Sequence, residues 1–243
     1  MYANTQSKAY QEARHELALG LMEVGAILTS ESDHSRVIER EGPEGKERGF
    51  RLKLHEENPE APLSPIFFNL RTPDNPKPGP LTPEFVRLAA SCMRGIQLEN
   101  EVECDAVVGV PWAGDPFAKE LAAFMGFTCL SMVKWECGGR RCIARLSDPI
   151  PATITRVLLV DDLISGADSK IEAIQNLRED GVEVADVMVL VDREQGGRKR
   201  LEERSCVLHS VFTISELLNF YVFAGTISAR LCTNILEYLG QAA

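Results

Sequence analysis

The chain has 243 residues, 44% of them hydrophobic and 26% charged, enough to bury a large core in one domain with an appendage or in two small domains. A formal net charge of −10 argues against broad binding to nucleic acid through its phosphates, and no apolar run approaches the length of a membrane span. Seven cysteines without repeated spacing are poor material for a disulfide framework, and the N-terminus shows no secretory signal; reduced thiols and a cytoplasmic location are expected.

From Ser7 to Leu28, Leu17, Leu21, Val24 and Leu28 recur among charged residues, which predicts an amphipathic helix. Glu31 to Glu47 is rich in charge, Ser and Gly and reads as a loop. Phe50–His55 and Ser64–Leu70 read as two strands of a hairpin. The prolines between Thr72 and Pro80 remove donors and fix φ, so a boundary is drawn there between an N-terminal element (1–80) and a core domain (81–243). Thr82 then caps a helix, with Pro83 and Glu84 in its first turn, that runs to about Leu98.

Beyond it the pattern alternates. Strand Ala106–Val110 precedes helix Asp115–Met125, and strand Thr128–Val133 precedes a Gly- and Arg-rich loop, Glu136–Arg141. Strand Val157–Val160 and helix Lys170–Asp180 follow, then strand Asp186–Val191, a short helix, strand Val207–Phe212 and two C-terminal helices. Strands separated by helices predict an α/β fold with a mostly parallel sheet. Cys137 and Cys142 flank Gly138-Gly139-Arg140-Arg141; with no His or second Cys pair nearby, idle thiols are favoured over a metal site. Arg193, Arg198, Lys199 and Arg200 make a local basic cluster, of a kind that is often a solvated face.

The most informative stretch is Val157 to Lys170, VLLVDDLISGADSK. Its apolar run has the character of a buried parallel strand, so Asp161 and Asp162 emerge together at the carboxyl end, where open α/β sheets bind ligands. The turn Ser165-Gly166-Ala167-Asp168-Ser169 presents small side chains and backbone N–H groups at a helix N-terminus, which favours a phosphate. A phosphate pocket beside two carboxylates suits a phosphorylated sugar. The competing possibility is that Asp168 and Ser169 are helix caps and nothing more.

Three further segments accompany this motif: Leu63–Arg71 (LSPIFFNLR), Val108–Pro116 (VGVPWAGDP) and Val189–Gly197 (VLVDREQGG). Together, and in this order, they resemble the orotate phosphoribosyltransferase family. The resemblance covers most of residues 50 to 213. It implies a type I phosphoribosyltransferase fold with an N-terminal hood over the base, a homodimer whose loop crosses to the neighbour's site, and Mg²⁺ held mainly by the substrate, with Asp161 and Asp162 as possible ligands. By the same resemblance Asp161 and Asp162 contact the ribose hydroxyls of phosphoribosyl pyrophosphate, and Ser165, Gly166, Ala167, Asp168 and Ser169 form the 5′-phosphate loop. Pro111 to Asp115, with Trp112 and Ala113, lie against the pyrophosphate, while Lys53, Phe67, Phe68 and Arg193 surround the orotate ring and its carboxylate. From composition alone, Phe67 and Phe68 read equally as a sheet face and Arg193 as a partner of Asp192 or Glu194.

Two segments depart from the family's pattern. In the loop after strand Thr128–Val133, Lys134 matches approximately, but the catalytic lysine has no clear counterpart and Gly138 stands nearest. Arg140 and Arg141 are the residues that would replace its charge, or else are solvent-facing loop charges. In the phosphate loop the expected glycine falls at Gly166 rather than at Ala167, and Asp168 adds a carboxylate. Within about 4 Å of a phosphate it would oppose binding by about 1 kcal/mol even in water, unless it turns outward as a cap.

Overall fold

Leu158 and Val160 point to one face of a central strand and Val157 and Leu159 to the other, and both faces are covered. The structure, a computed structural model, describes residues 2–42, 45–137, 140–147 and 149–240, and of these the side chains of all but 2–7, 135–137 and 140–145. The N-terminal third holds helix α1 (Tyr2–Glu23), strands β1 (Ile27–Thr29), β2 (Ile38–Gly42) and β3 (Gly45–Gly49), the short helix α2 (Leu54–Glu57) and strand β4 (Ile66–Phe68). Helix α3 (Pro83–Glu99) leads into β5 (Ala106–Gly109), α4 (Asp115–Met125), β6 (Thr128–Cys137), β7 (Arg140–Leu146) and β8 (Arg156–Ile164). Helix α5 (Asp168–Glu179), β9 (Glu183–Asp192), α6 (Gly197–Glu202), β10 (Val207–Thr213), α7 (Ile214–Phe223) and α8 (Ala229–Tyr238) complete the chain.

Six strands form the main sheet in the order β10-β9-β8-β5-β6-β7, parallel except for β7 at one edge. From β5 the chain moves outward to β6; from β8 it moves the other way, to β9 and β10. The direction therefore reverses between β5 and β8, and their carboxyl ends open the crevice in which such sheets bind ligands. The β5–β8 pairing ends at Gly109↔Val160, whereas β8 continues beside β9 as far as Ile164↔Asp192. The last four residues of β8, including both acids, thus have no strand beside them on the β5 side.

Helix α1 belongs to the core. Leu17 and Leu21 are fully buried in the cluster that also contains Leu217 and Tyr221 of α7, and the Tyr221 hydroxyl donates to the Ala18 carbonyl at 2.8 Å. Gly20 is needed there, because a Cβ would meet the Phe85 ring of α3.

The expected strands and helices of the core domain are all present, with shifted ends; four expectations nearer the N-terminus and the edge are corrected. Helix α1 stops at Glu23, and Ile27–Thr29 is a strand that pairs antiparallel with β4. The expected hairpin of Phe50–His55 with Ser64–Leu70 survives only as the bridge Phe50↔Ser64; Leu54–Glu57 is helical and β4 pairs with β1 instead. The segment Glu31–Glu47, expected as a loop, contains β2 and most of β3. That ribbon lacks apolar alternation and is held by charge, Arg40 with Glu47 at 2.9 Å and Arg48 with Glu39 at 3.9 Å, so no hydrophobic period announces it. Likewise the Glu136–Arg141 loop is the end of a ribbon: β6 runs to Cys137 and pairs with β7, Glu136 opposite Arg141. An edge strand tolerates such polarity.

Truncating Leu17 to Ala is expected to lower the unfolding free energy in urea by about 2–5 kcal/mol, as for a core leucine, because α1 packs inside the main apolar cluster. An effect below about 1 kcal/mol would mean that α1 is a detachable appendage.

Candidate active site

Two consecutive acids on a strand point to opposite faces, and here both are buried, Asp161 at 3% and Asp162 at 7% exposure. Each is compensated separately. Asp161 Oδ2 pairs with Lys170 Nζ from the first turn of α5, and Lys170 also donates to the Leu163 carbonyl at 2.5 Å. Asp161 Oδ1 accepts the Asp162 N–H at 2.9 Å, and Asp162 Oδ1 accepts the Leu163 N–H at 2.7 Å. Burial and the neighbouring Asp161 hold the Asp162 carboxyl well above the ordinary carboxylate range, while Lys170 and Arg71 oppose that rise. A carboxylate has about four acceptor sites, so these contacts leave both acids able to accept from sugar hydroxyls.

Three loops converge on this strand tip. Gly114, between β5 and α4, lies so close to β8 that a Cβ would collide with the Val160 carbonyl and approach Asp161 Cα. The same loop carries Ala113 and the partly exposed Trp112, with a cis peptide between Pro111 and Trp112. Lys134 on β6 crosses to it: Nζ donates to the Pro111 carbonyl at 3.2 Å and stands 5.4 Å from the Trp112 ring centroid. Asp115, at the start of α4, has its pKa pushed up to about 6, first by burial and then by Asp161, against Lys119 and Lys134.

On the other side, Ser165 to Ser169 turn into α5. Ala167 takes the left-handed conformation, φ 69°, which costs an L-residue about 1–2 kcal/mol and explains why the family prefers glycine there. Asp168 turns to Arg200 of α6, Oδ1 to Nη2 at 2.7 Å, with its side chain 85% exposed. Outward orientation, rather than insertion into the phosphate cradle, is therefore the answer for Asp168.

Lys53, Phe67 and Phe68 line an open cleft of about 1450 Å³ under the N-terminal strands. Arg36, Arg51, Arg71 and Lys77 line it too; none of these four was singled out from the sequence, and only a concentration of cations in so acidic a chain could have hinted at them. Phe67 stacks on Phe50 with centroids 5.5 Å apart, and the Arg36 guanidinium lies 5.2 Å from its ring. The Arg193 guanidinium lies 5.5 Å from the ring of Phe68, which lines this cleft; Asp192 is paired with Arg198 at 3.1 Å. Arg193 also ties cleft to strand tip, because its backbone N–H donates to the Ile164 carbonyl at 2.9 Å.

The side chains of Arg140 and Arg141, like those of Cys137 and Cys142, lie outside the described residues, as does Gly138 altogether. Among the described residues no group of three or more His, Cys, Asp or Glu is placed to hold a metal, and none of the helices is long and apolar enough to cross a membrane. With Asp161 committed to Lys170, the acid pair is not a ready-made metal cage.

The strand that bears the acid pair and leads into the small-residue turn is joined to the cationic aromatic cleft through Arg193, whose N–H meets Ile164 and whose guanidinium faces Phe68. No protein-family model matches the chain. It is 28% identical over 183 residues to the uridine 5′-monophosphate synthase of Bos taurus, an alignment covering 74% of this chain and 36% of that protein. The chain thus spans about a third of the length of that relative. It is 33% identical over 129 residues to the orotate phosphoribosyltransferase of Aquifex aeolicus, covering 50% of this chain and 68% of that protein. The fold matches that of the Leishmania donovani UMP synthase with a TM-score of 0.66 at 24% identity, over 93% of this chain and 42% of that one. Sequence relationship, shared architecture and the order of the four motifs agree: the chain belongs to the orotate phosphoribosyltransferase family.

Proposed function

We propose that this protein transfers the 5-phosphoribosyl group from phosphoribosyl pyrophosphate to orotate, giving orotidine 5′-monophosphate and pyrophosphate, a step of pyrimidine biosynthesis. The observation that carries the proposal is the meeting of Arg193 with Phe68, a ring that lines the same cleft as Lys53 and Phe67. Residues from widely separated segments there offer a planar anionic base an aromatic wall and several cations.

In this mechanism the bond from C1 of the ribose to the pyrophosphate oxygen breaks as a base nitrogen bonds to C1, with oxocarbenium character between. Asp161 and Asp162 accept from the ribose hydroxyls and favour the developing positive charge. Ser165 to Ser169 hold the 5′-phosphate, and the Pro111–Asp115 loop, with Lys134 bridging to it, lies along the pyrophosphate. Arg140 and Arg141 are the candidates for further charge on that leaving group. The substrate's pyrophosphate, with Asp161 and Asp162 as the candidate protein carboxylates, would hold a Mg²⁺ ion, which would supply charge neutralisation for the leaving group. A homodimer, in which the β6–β7 ribbon reaches the neighbour's site, and a cytoplasmic location complete the proposal. A second reading, a nucleotide or phosphoribosyl pyrophosphate sensor without turnover, draws on the ribbon's shortage of lysines: Lys134 is the only lysine between Thr128 and Leu146.

With orotate, phosphoribosyl pyrophosphate and Mg²⁺, the protein is expected to consume orotate, seen as loss of its absorbance. Donor binding in a calorimeter without that loss would favour the sensor, and donor consumption only with another acceptor would reassign the base. Arg193→Ala is expected to raise KM for orotate by about tenfold or more and to change KM for the donor much less; equal changes in both would place Arg193 outside the base site. The pH profile should follow Asp162, whose pKa burial raises. Its charged form is the acceptor, so kcat/KM for the donor should fall as pH is lowered through a value well above the ordinary carboxylate range. An acid limb at about pH 4, that of an unperturbed Asp, would rule Asp162 out as the controlling group.

A further inference from the structure

Helix α6 is seated on the back of the phosphate loop. Gly197 approaches so closely that a Cβ would collide with the Ser165 carbonyl. One turn on and on the same helix face, Arg200 donates from Nη1 to the Gly166 carbonyl. Two successive loop carbonyls therefore aim at α6. Across a trans peptide the following N–H points the opposite way, so the N–H groups of Gly166 and Ala167 face the open side, where a phosphate would sit. Arg200 also holds Asp168, Nη2 to Oδ1 at 2.7 Å. A Cβ on Gly166 would stand 3.4 Å from Arg200 Nη1 and 3.7 Å from Asp168 Oδ2, ordinary van der Waals distances, so the contact rests on Arg200 and Asp168 themselves.

An ion pair whose side chains are 43% and 85% exposed contributes little to folding. Its consequence is where it puts a negative charge. Asp168 begins helix α5, within reach of any anion bound by the first-turn N–H groups, and released from Arg200 its carboxylate would compete for those donors.

Resting on the phosphate-loop assignment above, we infer that Arg200 is a positioning residue for the 5′-phosphate: it retains Asp168 on the far side of the loop and fixes the peptide planes so that the loop amides face the ligand. Asp168 and the arginine on α6 then act as one unit, the arginine making the loop carboxylate tolerable.

Ribose 5-phosphate, which carries the phosphate without the leaving group, is the probe, titrated calorimetrically into the full-length protein. Arg200→Ala is expected to weaken binding by about tenfold, as an uncompensated carboxylate about 4 Å from a phosphate would, with little change in melting temperature. Arg200→Lys should retain most of the affinity. Adding Asp168→Ser to Arg200→Ala should restore binding to within about threefold of the wild type, a rescue that a merely structural role for Arg200 would not produce. Arg200→Gln, which keeps a donor for the Gly166 carbonyl while losing the charge, repeats the comparison if the alanine variant unfolds. Wild-type affinity in the charge-removing variants, or a double variant as weak as Arg200→Ala, would overturn the inference alone. No binding of ribose 5-phosphate to the wild type would overturn the phosphate-loop assignment itself and the inference with it.

Discussion

Two carboxylates buried side by side at the end of a strand are the constraint around which this molecule is arranged. Leaving either uncompensated in a low-dielectric site would force it to protonate or would destabilise the fold. Because neighbouring residues of a strand face opposite ways, one cation cannot serve both in the same manner. Lys170 pairs with Asp161 from α5 and also opposes the rise of Asp162, with Arg71, from the segment after β4, adding to that opposition. The acid pair thus anchors α5 to the tip of β8. Lys170 is itself almost fully buried, which makes sense only with Asp161 and the Leu163 carbonyl as its partners.

The N-terminal third supplies what the sheet cannot. A parallel sheet covered on both faces offers ligands its strand ends and little else. Pairing of β1 with β4 sets Phe67 and Phe68 opposite Leu28 and Ile27, and the two rings collect Arg36 and Arg193 respectively. The charged β2–β3 ribbon is clipped to the segment after α2 by Arg40, which donates to the carbonyls of Pro59 and Ala61. A cationic cleft in a chain of net charge −10 concentrates positive potential where an anion is to be held and leaves the rest of the surface acidic.

Departures from the family pattern are met by local adjustment. Ala167 adopts the left-handed conformation that glycine would take without strain. Asp168 is drawn to Arg200. Lys134 is engaged with Pro111 and Trp112, which binds β6 to the loop after β5.

The alternating apolar strands, the helices between them and the acid pair before a small-residue turn were legible in the amino-acid order, because each is a local pattern with a fixed period or spacing. Phe67, Phe68 and Arg193 lie in motifs visible in the amino-acid order, whereas Lys53 was named only through the family resemblance. The polar ribbons β2–β3 and β6–β7 were not legible, since charge pairing across strands leaves no hydrophobic period. Nor were the roles of Lys170, Arg71 and Arg200: a lysine in a helix and arginines in polar segments read as surface charge until the partner is known. Sequence by itself determined the α/β class, the family and the strand tip that bears the acids. Only the tertiary structure decided which cation meets which acid and which way Asp168 turns, because those contacts join Asp161 to Lys170, 9 positions on, and Asp168 to Arg200, 32 positions on, and burial, which sets their strength, is a property of the folded chain.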